Sequence, residues 1–164
     1  MRKGRVYIYY GEGNGKTALS IGKGIKAISE GLSVVMIQFL HYNNIKEISQ
    51  LKIFEPDFRI FKFEKIRENI STISDKEIIK EIYSEVRNAF KFATKIVETG
   101  ECDVLILDGI TDAIKNQYIN QEEFLDIILK KEPYMDIIIT GNYINERIKE
   151  EGDYIYKLIF EKNK

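Results

Sequence analysis

A β-prone run, Val6-Tyr7-Ile8-Tyr9-Tyr10, gives way to Gly11-Glu12-Gly13-Asn14-Gly15-Lys16-Thr17-Ala18 and then to a helical pattern. No other segment constrains the fold as strongly. Alternating glycines let successive backbone N–H groups converge on one oxyanion, and the helix that follows turns its positive end toward the same point. Lys16 adds a mobile cation, and Thr17 offers a hydroxyl to a magnesium ion bridging phosphates. The spacing departs from the G-x-x-x-x-G-K-[ST] pattern, because Tyr10 stands where that pattern has its first glycine. The segment reads as a variant phosphate loop in which Gly11, Gly13, Asn14, Gly15, Lys16, Thr17 and Ala18 line the nucleotide.

A loop of this kind works at the edge of a parallel sheet, and the rest of the chain supplies one. Strands are predicted at 5–10, 33–39, 58–63, 103–108, 136–140 and 154–160, mostly separated by segments of helical spacing. Continuous apolar runs, Val104-Leu105-Ile106-Leu107 and Ile137-Ile138-Ile139, indicate strands covered on both faces. The expected architecture is α/β, a mainly parallel sheet with helices on each side. The first helix is expected to bury Ala18, Ile21, Ile25 and Ile28 and to stop near Gly31, with Gly22 and Gly24 packed closely on the sheet. The longest should start at Ser74, in a capping box with Glu77, and run to about Thr99 before Gly100. Its buried stripe is Ile78, Ile82, Val86, Ala89, Ala93 and Ile96. A further helix from Asn120 is expected to bury Phe124, Leu125, Ile128 and Leu129 before Pro133.

The 164 residues suit one domain, and a formal net charge of −1 gives no basic excess that would favour nucleic acid. One cysteine, Cys102, and one histidine, His41, exclude an internal disulfide and the common zinc ligand sets. Neither a signal-peptide core nor a membrane-length apolar run is present, so a reducing cytoplasm is the expected location.

Val104 to Asp108 is four apolar residues ending in a carboxylate, the form of a buried strand that brings an aspartate to the magnesium of a bound nucleotide. Thr140-Gly141-Asn142 ends another strand at the same edge. Thr140 and Asn142 are candidates to hydrogen-bond the nucleotide; a glycine turn with polar neighbours is the competing explanation. His41, just beyond Gln38-Phe39, is read as a solvated loop histidine, with a ligand-facing role as the alternative.

These segments together carry a resemblance. The phosphate loop, Gln38-Phe39, Leu105-Ile106-Leu107-Asp108, Ile138-Ile139-Thr140-Gly141 and Gly152-Asp153-Tyr154-Ile155 resemble, in order and spacing, the ATP:corrinoid adenosyltransferases. In that family the loop reads G-x-G-K-G-K-T-T, without the first Walker glycine. The resemblance implies a P-loop NTPase fold of RecA-like type, a three-layer sandwich on a sheet of about six strands. It also implies a homodimer and transfer of the 5′-deoxyadenosyl group of ATP to Co(I) of cobalamin or a precursor such as cob(I)yrinic acid a,c-diamide. ATP, magnesium and a corrinoid acceptor follow from it, as does a flavoprotein that reduces cobalt. Lys16, Thr17 and Asp108 carry over as the catalytic set, with magnesium on Thr17 and Asp108.

The chain departs from the family pattern at several positions. Asn14 and Ala18 replace a loop lysine and threonine, and the Asp-Glu pair reads Asp108-Gly109. Asp112, one helical turn on, is a candidate replacement metal ligand, and Gly109→Glu is expected to restore metal or ATP affinity if a carboxylate is what the site lacks. Asn142 replaces the arginine of T-G-R, and 67–73 lacks the aromatic residues that wall the corrinoid. Two functions stay open on these residues: an active adenosyltransferase, or an impaired paralogue that binds ATP and corrinoid in a regulatory role. A small-molecule phosphotransferase would need an acceptor-activating base, and none is evident.

Overall fold

The computed structural model describes residues 2–41, 46–67 and 75–162. Its strands are β1 (Val6–Gly11), β2 (Val34–Gln38), β3 (Phe58–Lys62), β4 (Val104–Asp108), β5 (Asp136–Gly141) and β6 (Tyr154–Leu158). They form one six-stranded sheet in the order β3-β2-β4-β5-β1-β6, and every pairing is parallel. The helices are α1 (Gly15–Ser29), α2 (Lys46–Gln50), α3 (Lys76–Thr99), α4 (Ile110–Lys115), α5 (Gln121–Lys130) and α6 (Glu146–Lys149). α2, α4 and α6 are too short to show a helical period, which is why the sequence pattern does not announce them.

Side chains alternate across the sheet, and the two faces build separate cores. On one, Val34, Met36, Val104, Ile106 and Ile138 pack beneath α1 with Tyr9, Phe58 and Ala27. On the other, Val35, Ile37, Leu105, Leu107, Ile137 and Ile139 pack with Ile82, Val86 and Phe90 of α3 and Phe124 and Ile128 of α5. The sheet is thus the middle of three layers, as an all-parallel sheet requires.

The packing surface of α1 matches the expected stripe in part: Ile21 and Ile28 pack on the sheet. Ala18 and Ile25 are exposed, while Ser20, Gly24 and Ala27 are buried. Small residues face the sheet because the helix lies very close to it: a Cβ on Gly24 would sit 2.4 Å from the Phe58 ring. Gly24→Ala would overpack this contact at a cost of about 1–3 kcal/mol. Gly22 faces open space, so close packing does not account for it. Leu129 of α5 is 67% exposed, and Ile127 takes the buried place expected for it.

Helix ends follow capping chemistry. Asn120 accepts from the N–H groups of Glu122 and Glu123 at the start of α5. The expected cap at Ser74 lies outside the described residues; α3 is capped by Asp75, which accepts from Glu77 N. Gly31 and Gly100 adopt the left-handed conformation just beyond α1 and α3.

Candidate functional site

The site follows from strand register. Gln38 lies abreast of Asp108 across β2 and β4, and Thr140 is one step beyond the Leu107–Ile139 pair of β4 and β5. The three residues therefore continue, on the α1 face, the apolar rows that end at Met36, Ile106 and Ile138. Each is buried at the carboxyl edge of the sheet, where parallel α/β folds bind their ligands.

β1 delivers the phosphate loop to the same edge. Gly11 and Gly13 have φ of 119° and 79°, conformations that side chains resist, and this turns their carbonyls inward. Lys16 Nζ donates to Gly11 O at 2.7 Å and Gly13 O at 2.6 Å, so the ammonium is folded into its own loop. Burial lowers its pKa, opposed by the carboxylates of Asp112 and Asp108. Asn14 makes no side-chain cap and the first turn of α1 holds no acid, which leaves the N-terminal amides of α1 free to receive an anion. Ala18 is exposed in this first turn.

Thr17 Oγ1 reaches both oxygens of Asp108, at 3.1 and 3.0 Å. Thr140 Oγ1 donates to Asp108 Oδ1 at 2.6 Å and accepts from Gly109 N at 2.9 Å. Gln38 Nε2 donates to Asp108 Oδ2 at 3.2 Å, and His41 Nε2 stands 2.9 Å from the same oxygen. Burial alone would raise the Asp108 carboxyl; the contacts from His41, Thr140 and Gln38 outweigh it and hold the group below its ordinary value. His41 is 23% exposed at its side chain and packs on Asp108, so it is not a solvated loop residue.

The Thr17 hydroxyl and Asp108 carboxylate are hard oxygen donors lying together at the loop, a set that suits magnesium. No cluster of three or more His, Cys, Asp or Glu side chains able to hold a metal exists among the described residues. A magnesium ion here would complete its shell with phosphate and water oxygens. Asp112, in the first turn of α4, accepts from Asn142 N at 3.0 and 3.1 Å and from Asn142 Nδ2 at 3.1 Å. The structure thus pairs two predicted site residues with each other, and Asn142 stays exposed at the rim.

Three polar residues here have no role in the sequence reading. Gln38 leaves a signal, since it is the one polar residue of an otherwise apolar strand and falls in phase with Asp108. Glu64 leaves none: it follows β3, is 5% exposed, and accepts from Leu40 N at 2.9 Å. Thr111 explains the Thr-Gly motif, because a Cβ on Gly141 would lie 1.7 Å from Thr111 Oγ1. Beyond α4 lies a cavity of about 640 Å³ lined by Tyr83, Arg87, Lys115, Tyr118 and Tyr143, with Thr111 in its wall. Residues 68–73, most of the stretch expected to face the corrinoid, lie outside the described residues. Arg67 is held by Glu81 and Glu85.

A glycine-lined phosphate loop faces an aspartate strand end, and β5 separates the strands that carry them, the arrangement of a P-loop fold of RecA-like type. The flagellar accessory protein FlaH of Methanocaldococcus jannaschii shares this fold: TM-score 0.60 and 19% identity over 98% of this chain and 75% of that one. The family model for the ATP:corrinoid adenosyltransferases BtuR/CobO/CobP matches residues 2–164, and the chain belongs to that family. Corrinoid adenosyltransferase of Escherichia coli K12 is 21% identical over 95% of this chain and 76% of its own length. Corrinoid adenosyltransferase of a Sinorhizobium species is 20% identical over 95% and 72%.

Proposed function

We propose that this chain transfers the 5′-deoxyadenosyl group of ATP to Co(I) of a corrinoid, cobalamin or a precursor such as cob(I)yrinic acid a,c-diamide, and releases triphosphate. The observation that carries the reading is the meeting of Lys16, Thr17 and Asp108 at the start of α1. In the reaction a cobalt–carbon bond forms as the bond from C5′ to the triphosphate oxygen breaks. The electron pair of that bond leaves with triphosphate, and cobalt supplies the new pair.

Co(I) is itself the nucleophile, so the protein's work is placement and charge neutralisation. The amides of Gly13, Gly15 and the first turn of α1 hold phosphate oxygens, and Lys16 leaves the Gly11 and Gly13 carbonyls to meet the triphosphate. Thr17 and Asp108 are the residues that would hold magnesium, and the bound ion would supply charge to offset that of the leaving group. Thr140 acts through Asp108. The cavity beyond α4 gives room for the amide-bearing edge of a corrin ring, with Tyr83, Tyr118 and Tyr143 as apolar surfaces carrying polar tips. The reading includes a homodimer in a reducing cytoplasm, supplied with Co(I) by a flavoprotein.

A second reading, ATP and corrinoid retained with little transfer, is favoured by Gly109. Its φ of 84° and the nearness of Phe39 O, 2.4 Å from where a Cβ would lie, exclude the second carboxylate of the family pattern. One experiment separates the readings: protein, ATP, magnesium and chemically reduced corrinoid are mixed, and the cobalt–carbon product is followed by absorbance. Catalytic product formation supports transfer. ATP binding by calorimetry without product supports the second reading, and absence of both overturns the two together.

A further inference from the structure

A carboxylate has about four lone-pair positions, and at Asp108 the fixed donors account for most of them. Thr140 takes one on Oδ1; Gln38 and His41 occupy Oδ2, at 3.2 and 2.9 Å. Thr17, whose hydroxyl touches both oxygens, holds what is left. When Thr17 turns to another partner, a single position on Oδ1 opens. Asp108 is therefore built to give one oxygen to an incoming cation.

His41 is essential to that count, and its position is built rather than incidental. The ring borders residue 109: His41 Nε2 lies 3.4 Å from the place of a Gly109 Cβ, an ordinary contact distance, beside the Phe39 carbonyl. The imidazole reaches Asp108 because Leu40 adopts φ of 59°, a left-handed conformation that a residue with a side chain resists. Glu64 braces that turn by accepting from Leu40 N at 2.9 Å. Its second oxygen, Oε2, is buried and has no hydrogen-bond partner. A carboxylate is thus kept in the interior, half unsatisfied, to fix the residue that precedes His41.

We propose that His41 and Glu64 are positioning residues for the metal end of the nucleotide site. Glu64 locks the Leu40 turn, the turn sets His41 on Asp108 Oδ2, and His41 leaves Oδ1 as the oxygen offered to magnesium. The imidazole lies at contact distance from the bare backbone of Gly109. This rests on the reading that Asp108 and Thr17 serve a magnesium–ATP complex.

The test uses the full-length protein and measures, by calorimetry, ATP affinity across a magnesium titration and in excess EDTA. His41→Ala and Glu64→Ala are expected to raise the half-saturating magnesium concentration by roughly 10- to 100-fold, the usual effect of removing a group that orients a metal ligand. Affinity in EDTA should stay at the wild-type value. His41→Gln, which keeps an N–H donor, and Glu64→Gln, which keeps the acceptor for Leu40 N, should recover most of the loss. His41 is the only histidine in the chain, so its ring nitrogens give a unique NMR signature without any ligand. Asp108→Asn and Glu64→Ala should each shift the Nε2 resonance. An unchanged magnesium requirement in His41→Ala, an equal loss with and without magnesium, or an Nε2 resonance insensitive to Asp108→Asn overturns the proposal while the nucleotide reading stands. Absence of ATP binding by the wild type overturns that reading and the proposal with it.

Discussion

The two edges of the sheet both carry aspartates beside apolar strands, and they use them differently. At the amino edge each aspartate holds a backbone N–H, with a side-chain donor beside it: Ser33 Oγ at Asp103, Arg2 at Asp136 and Arg5 at Asp153. Asp103 accepts from Ser33 N at 2.8 Å, Asp136 from Arg5 N at 2.7 Å, and Asp153 from Val6 N at 2.8 Å. Each of these carboxylates ties one strand entry to its neighbour. At the carboxyl edge, among the described residues, the Asp108 carboxylate meets side chains alone: Thr17, Gln38, His41 and Thr140. Backbone donors have no alternative conformation to offer, whereas a side-chain hydroxyl such as that of Thr17 can turn to a ligand. One edge is stapled shut, and the other keeps one donor able to exchange partners.

The strongest way to break this contrast is Lys16→Ala. It should weaken ATP binding by roughly 100-fold or more, measured by calorimetry, because a charged donor to the polyphosphate is lost. Wild-type affinity in this variant would sink the contrast. Gly109→Glu comes next, expected to cost about 2–5 kcal/mol in urea denaturation through backbone strain and overlap with Phe39. Accordingly it should yield no gain in magnesium or ATP affinity, contrary to the expectation drawn from the family pattern. Asp136→Ala tests the other edge: a loss of about 1–3 kcal/mol in stability with ATP affinity unchanged. A fall in affinity instead would show that the edges are not independent.

A smaller effect concerns Glu64. Burial raises its carboxyl above the ordinary value of 4.5, against the pull of Leu40 N–H and His41. An acid with a raised folded-state pKa binds its proton more tightly when folded. Its contribution is full below the unfolded value and is lost as pH rises through the folded one. Relative to wild type, Glu64→Gln should gain melting temperature as pH is raised from acid to neutral; a relative loss would mean the ionised form is the favoured one. The smallest effect is at Cys102, whose thiol burial pushes up to about 12. A thiol reagent at neutral pH should leave it unmodified until denaturant is added.

Much of this was legible in the sequence. Lys16, Thr17 and Asp108 were identifiable because a local pattern fixes each: glycine spacing before a helix, and an acid at the end of an apolar strand. The strands stood out for the same reason, since continuous apolar runs are what a sheet buried on both faces demands. Gln38 was visible in hindsight from its phase with Asp108. His41 and Glu64 were not, because their meeting depends on the Leu40 turn and on the juxtaposition of segments that follow β2 and β3. The inner face of α1 was legible only at Ile21 and Ile28, for a related reason. Hydrophobicity favours the isoleucines, but the distance to Phe58 selects for smallness, and no residue in α1 reports that distance.

The clip between the phosphate loop and β6 has a kinetic consequence. Glu12 N donates to Leu158 O at 3.1 Å, and the same carbonyl fills the space where a Gly11 side chain would go. One wall of the loop is thus made by a strand that the ribosome delivers long after the loop itself. A nascent chain lacking that strand has the glycines and the lysine but not the surface that shapes them. Capture of a nucleotide therefore belongs to a late stage of folding, and ATP added during synthesis will select chains that have already closed the edge of the sheet.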